Sequence, residues 1–212
     1  MKSERKELLI KLQEYMNLET GEIVSDAFDN ELLFYVKKAH KCHLDRDIES
    51  CVKCPELNVT RLSGSAPGFG SLNAKVILLG SALSREGMLS KLPFASDSTT
   101  LVNVAMKLSG VPRYDIFCTN AIHCHIPGRR GATSKEKQNC RGYLKREIDL
   151  IDPRVIVALG ADAKEALEKL EIKTSKTLRV TKLKDPKAFE YSSPESRVNF
   201  VIKLATELEK VL

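Results

Sequence analysis

At 212 residues, 42% hydrophobic and 29% charged, the chain is long enough to bury a real core and too apolar to read as disordered. Its formal charge of +6 is modest. No run approaches the roughly 18 apolar residues of a membrane span, and the opening MKSERKELLI is charged where a secretory signal would be apolar. A soluble, cytoplasmic, monomeric globular protein is expected. Neither a phosphate-cradling GxxxxGKS or GxxxxGKT nor an internal repeat is present, and the two glycines of GFG at 68–70 are too few for a dinucleotide fingerprint.

In chain order, apolar residues at helical spacing predict two amphipathic helices over 4–17 (Leu8, Leu9, Leu12, Met16) and 29–40 (Leu32, Leu33, Val36). Residues 1–41 are read as a helical extension whose apolar faces pack on the core or bind a partner helix. A cysteine-bearing stretch follows, then the Gly, Ser and Pro-rich loop LSGSAPGFGS. Beyond it come four short apolar runs of strand length: KVILLG (75–80), YDIFCTN (114–120), RVIVALG (154–160) and TLRVTKL (177–183). Helical patterns lie at 98–109, 134–149, 161–170 and 194–211. Strand alternating with helix predicts a mainly parallel sheet covered on both faces, an α/β fold whose ligands sit beyond the carboxyl ends of the strands. That rule singles out the Gly80 loop, Asn120, Gly160, and the segment around Lys184 and Asp185.

Residues 128–188 hold 16 Lys or Arg against 9 Asp or Glu, so the positive charge falls there and the rest of the chain is nearly neutral. Such a segment suits a polyanion, whose counterions are released on binding, or it is a solvated helical face.

Six cysteines stand at 42, 51, 54, 118, 124 and 140. In a reducing compartment this suggests metal ligation more than disulfides. Cys51 and Cys54 form a CxxC that can reach one metal from a single turn. Cys124 is placed just after a strand and Cys140 in mid-helix, so the fold could carry both to that pair. Four thiolates suit zinc or an iron–sulfur cluster. Cys118, inside a strand, reads as core, and Cys42 as a free thiol. His123 and His125 flank Cys124 and read as exposed loop residues near phosphate, with substitute metal ligands as the alternative.

The stretches ESCVKCPELNVTR, SGSAPGFGSLNAKVILLG and TNAIHCHIPGRRGATSKEKQNCRGYLKREIDLIDPRVIVALG resemble the family 4 uracil-DNA glycosylases, the iron–sulfur branch of that superfamily. The likeness runs from about Cys51 to Leu170 and includes the ungapped length from Gly80 to Phe94. It implies a three-layer α/β/α fold with a central four-stranded parallel sheet over residues 42–212. It also implies a 4Fe–4S cluster on Cys51, Cys54, Cys124 and Cys140, with zinc as the alternative metal.

DNA is the implied partner, and excision of a flipped base the implied chemistry. By the same resemblance Phe94 stacks on the base and Asn120 reads its edge, an amide offering both a donor and an acceptor. Arg129, Arg130, Lys184 and Lys187 are expected to hold phosphates.

Two elements depart from the family pattern. After the first strand the family carries Gly-Glu-x-Pro-Gly, whereas here Gly80 is followed by Ser81, leaving Glu86 as a substitute carboxylate if the loop bends back. The family's His-Pro-Ser is matched by Asp185-Pro186-Lys187, and an ionised aspartate there would repel a departing uracil anion. Weakened or altered base release is therefore expected. The alternative is a non-catalytic DNA-binding damage sensor or an accessory subunit.

Overall fold

The computed structural model describes residues 30–58, 63–96, 99–170, 172, 179–189 and 192–210. The expected helix over 4–17 lies outside them. Helix α1 (Asn30–Glu49) leads through the cysteine segment to strand β1 (Phe69–Gly70) and then β2 (Val76–Leu83), α2 (Arg85–Ser90) and α3 (Thr99–Leu108). Strand β3 (Ile116–His125), α4 (Ser134–Ile151), β4 (Val155–Leu159), α5 (Ala161–Glu168), β5 (Arg179–Leu183) and α6 (Pro194–Glu209) complete the chain.

The sheet has the order β1-β3-β2-β4-β5. The four long strands are parallel, and β1 adds an antiparallel edge to β3 through Phe69 and Gly70. The expected four-stranded sheet is thus a five-stranded, mostly parallel one. The additional strand is two residues long and ends on Gly70 at φ 147°. So short a run, closing on a glycine in a conformation that L side chains rarely adopt, carries no period-2 signal.

Alternate residues of each strand face opposite layers. Val76, Leu78, Ile116, Val155 and Val157 pack under α3 and α6, against Val102, Ala105, Phe200 and Leu204. Ile77, Leu79, Phe117 and Ile156 face α4 and α5, against Leu144, Ile148 and Leu167. These continuous apolar runs are what a sheet buried on both faces requires.

Local signals set the helix ends. Thr133 and Glu136 form a reciprocal capping box at the start of α4, and Ser193 with Pro194 opens α6. The helix expected over 29–40 runs from Asn30 on to Glu49. Leu44 and Ile48 of α1 pack on Tyr143 of α4. Among the described residues no helix is long and apolar enough to cross a membrane.

Candidate functional site

Strand β3 does not stop at Asn120, as its apolar run suggests, but continues through Thr119, Asn120, Ala121, Ile122, His123 and Cys124 to His125. Its polar residues are buried because the neighbouring chain satisfies them. The segment after Ser63 runs antiparallel along this end. Ser65 bridges Cys124, the Ala66 N–H donates to the His123 carbonyl, and the Ser63 hydroxyl donates to the His125 carbonyl at 2.7 Å.

Within β2 and β3, level with the carboxyl end of β4, Gly80 stands in register with Asn120. A Cβ on Gly80 would lie 2.3 Å from Asn120 Oδ1 and 3.2 Å from the tip of the Phe94 ring. Glycine is thus what lets amide and ring close on the same point. Phe94 holds φ at 59°, a left-handed conformation unusual for an aromatic residue and of the kind that concentrates at functional sites.

One strand over, Gly160 at φ 100° follows β4, where a Cβ would lie 2.5 Å from Ser81 Oγ and 3.1 Å from Asp185 Oδ2. The Ser81 hydroxyl donates to the Leu159 carbonyl at 3.3 Å. The structure therefore gathers Gly80, Ser81, Phe94, Asn120, Gly160 and Asp185 at one end of the sheet. Glu86 sits apart, exposed in the first turn of α2, a helix capped by Ser84.

Cys51, Cys54, Cys124 and Cys140, all free thiols, also lie near one another. Cys54, Cys124 and Cys140 share an apolar cluster with Leu57, Ile122 and Ile126, while Cys51 borders Leu44, Ile48 and Tyr143. Burial, then the thiols of Cys140, Cys51 and Cys54, push Cys124 up to about 12. Cys54 is raised by burial, against a hydrogen bond from the Asn139 amide at 3.4 Å. Among the described residues no three His, Cys, Asp or Glu side chains gather closely enough to hold a single metal ion. Cys118 is buried in the sheet, and Cys42 is exposed on α1.

His123, expected to be exposed, is 1% exposed. Its Nε2 lies 3.1 Å from Glu147 Oε2, and Glu147 also accepts from the Thr119 hydroxyl at 2.5 Å and the Gly68 N–H at 2.7 Å. Burial alone would lower the imidazole, but Glu147 and Cys140 outweigh it and hold His123 at about 10. Burial would likewise raise Glu147, yet His123 brings it below the ordinary carboxylate value. The other ring nitrogen, Nδ1, is buried without a hydrogen-bond partner in the protein, on a ring that neighbours Cys140.

Four soft thiols drawn from three separate segments are the kind of donor set that a thiolate-held metal centre uses. Asn58, Asn139, Tyr143 and Glu147 went unrecognised in the sequence. Asn58 ties the cysteine loop together, its Nδ2 donating to the carbonyls of Glu49 and Cys51 and its Oδ1 accepting from the Ser65 N–H. Glu147 was legible only as the residue two helical turns beyond Cys140 on the same face.

The expected phosphate contacts differ in placement. Arg130 is exposed and forks onto Glu136 at 2.6 and 2.8 Å. Arg129 lies in the turn Pro127–Arg129, Lys184 is exposed just after β5, and Lys187 falls in the turn Pro186–Phe189. Much of the basic segment is neutralised locally, Lys137 by Asp162 and Glu165, Lys145 by Asp149, Arg146 by Asp47 and Lys182 by Glu168.

Residues 67–209 match the family described as the uracil DNA glycosylase superfamily. The chain is 35% identical over 115 residues to the type-4 uracil-DNA glycosylase of Archaeoglobus fulgidus, covering 54% of this chain and 57% of that one. It is 32% identical over 117 residues to the type-4 enzyme of Thermotoga maritima, covering 55% and 59%. With that of Pyrobaculum aerophilum the identity is 33% over 123 residues, covering 58% and 62%. Each match thus spans less than two thirds of the relative's own length. With two thirds of its residues inside the family match, the chain belongs to the uracil DNA glycosylase superfamily.

Proposed function

We propose that this protein is a uracil-DNA-glycosylase-like iron–sulfur protein of base-excision-type repair, which receives a flipped base in the Gly80–Asn120–Phe94 slot and has altered base-release chemistry. The observation that carries this reading is the convergence of a bare glycine, a buried amide and a strained aromatic residue level with the carboxyl end of β4, toward the side of the sheet where α/β folds bind ligands. The Phe94 ring offers a stacking face and Asn120 an edge-reading amide.

Cys51, Cys54, Cys124 and Cys140 would hold a 4Fe–4S cluster. When bound, it supplies a compact inorganic centre that ties the cysteine loop, β3 and α4 together. A lone zinc needs all four sulfurs at about 2.3 Å. Four thiolates suit either group, and a cluster offers one iron to each of them. Arg129, Arg130, Lys184 and Lys187 are the proposed phosphate contacts, and the protein acts on DNA as a monomer.

Ser81 brings no charge to steady a cation-like sugar, and Asp185 offers a carboxylate where a donor to the leaving uracil would serve. Losing one such donor costs a factor of about 10² to 10³ in rate. That same pair favours a second reading, a DNA-binding damage sensor or accessory subunit that no longer cuts.

The test incubates the full chain with single- and double-stranded oligonucleotides carrying uracil, hypoxanthine or a mismatch, followed by alkali. Strand breaks establish the enzyme. Tight, salt-sensitive binding without breaks establishes the sensor, and no binding sinks both. A brown protein whose iron–sulfur absorbance disappears in Cys124→Ser and Cys140→Ser is expected; a folded, colourless, iron-free preparation would exclude the cluster.

A further inference from the structure

Helix α4 brings more than one thiol to the sulfur corner. Cys140, Tyr143 and Glu147 share a face of it at spacings of three and seven residues, and Asn139 immediately precedes Cys140. The Asn139 amide nitrogen donates to Cys54 Sγ at 3.4 Å and to the Lys53 carbonyl at 2.9 Å, so it is turned into the CxxC segment. Tyr143 is 8% exposed, lies in the cluster with Leu44 and Ile48 that Cys51 borders, and meets the Cys51 side chain with its hydroxyl. His123 stands edge-on to Tyr143, 6.2 Å between ring centroids, and beside Cys140. Its Nε2 faces Glu147, and its Nδ1 is buried without a hydrogen-bond partner among the described residues.

A buried nitrogen left without a partner is destabilising, and native structures seldom keep one that nothing satisfies. A neutral thiol is a weak acceptor, whereas a thiolate held by a metal centre carries negative charge and accepts strongly. The amide, the phenol and the imidazole therefore reach full strength as donors only when the cysteines are ionised. The Glu147 carboxylate also accepts from the Thr119 hydroxyl and the Gly68 N–H, and it balances a ring that carries hydrogen on both nitrogens. Cys124 differs from the other three, packed among Leu57, Ile122 and Ile126.

Hydrogen bonds to ligand sulfurs are among the factors that set the potential of an iron–sulfur cluster. An added electron increases the negative charge on those sulfurs, so a fixed N–H or O–H favours the reduced form over the oxidised one. We propose, resting on the cluster reading above, that Asn139, Tyr143 and His123 are positioning residues that donate hydrogen bonds to the sulfurs of Cys54, Cys51 and Cys140 and thereby raise the reduction potential of the bound cluster. A cluster so held gives up an electron less readily, which protects it from oxidative loss.

The test is a redox titration of the full chain carrying its cluster, followed by visible absorbance and by the electron paramagnetic resonance of the odd-electron form. Tyr143→Phe removes one hydroxyl and keeps the ring, and Asn139→Leu removes one amide at similar volume. Each is expected to shift the one-electron equilibrium about tenfold toward the oxidised form, a fall of about 59 mV, and the double variant further. Asn58→Ala is the control. Its hydrogen bonds run to the Glu49 and Cys51 carbonyls and the Ser65 N–H rather than to sulfur, so it should lower the melting temperature and leave the potential where it was.

Unchanged or raised potentials in brown Tyr143→Phe and Asn139→Leu, or an equal fall in Asn58→Ala, overturn the inference and leave the cluster reading standing. A folded, colourless, iron-free chain removes both. Where a variant fails to fold, the unaltered protein supplies the readout. Its Fe–S stretching frequencies in resonance Raman spectra should shift between H2O and D2O, since exchangeable hydrogens contact the sulfurs, and identical frequencies in the two solvents overturn the proposal.

Discussion

The sulfur corner and the strand-end pocket share strand β3, but they have diverged to different degrees from the pattern that the sequence resembles. At the sulfur corner all four thiols are present, and around them stands a closed set of partners. Asn139 donates to Cys54, and the buried Glu147 gathers His123, Thr119 and Gly68. At the pocket Gly80, Asn120 and Phe94 close on one another, and Ser81 and Asp185 meet at Gly160 on the neighbouring strand, where the resemblance has charged groups of other kinds. Groups that hold a shape are coupled to many neighbours and cannot change singly. Groups that act on a substrate need fit only that substrate, so the chemistry can move while the scaffold stays.

The largest effect that could break this contrast is at Glu147. Its replacement by alanine leaves His123 buried without its counter-charge and frees the Thr119 hydroxyl. A loss of about 3 to 5 kcal/mol in unfolding free energy is expected by urea titration. A cost below 1 kcal/mol would mean that the sulfur corner is no more constrained than the pocket.

Next in size is the double change Ser81→Glu with Asp185→His, which restores the charge pattern of the resemblance. Uracil release should rise by about 10²-fold, followed as alkali-labile sites. Unchanged release from a folded protein would show that these positions do not govern the chemistry.

Gly80→Ala comes third. The new Cβ, 2.3 Å from Asn120 Oδ1, must drive the amide out of the slot. About 1 to 3 kcal/mol of stability and at least tenfold in affinity for a damaged base should be lost, read by melting and by anisotropy.

The smallest effect concerns Arg130, whose guanidinium lowers Glu136 from 4.5 to about 2. A carboxylate depressed in the folded state contributes stability that is complete above its ordinary value and lost as pH falls through the depressed one. Arg130→Ala should therefore cost about 1 kcal/mol at pH 6, a discounted value for a pair open to solvent, and next to nothing near pH 2. A difference that did not shrink on acidification would place the role of Arg130 elsewhere.

Particular residues show what the sequence could reveal. Strands β2 and β4 were legible as VILLG and VIVAL because both their faces are apolar. The end of β3 was not, because Thr119, Asn120 and His123 read as loop until the segment at 63–66, the helix α4 and the carboxylate of Glu147 are in place to satisfy them. The CxxC and the two later cysteines announced themselves by type and spacing. Glu147 did not, lying in KREIDLI among Lys145, Arg146 and Asp149, where an acidic residue looks like ordinary helix surface. Phe94 was legible through its resemblance alone, since its left-handed backbone leaves no mark in composition.

Asn120 and Cys124 stand on one unbroken strand, four residues and roughly 13 Å apart along its axis. The span between the Asn120 amide and the Cys124 thiol is thus set by covalent chain geometry rather than by a hinge. A single inserted residue between them would turn one of the two to the opposite side of the sheet. Changes in the length of that stretch should therefore be tolerated far less than single substitutions in the pocket.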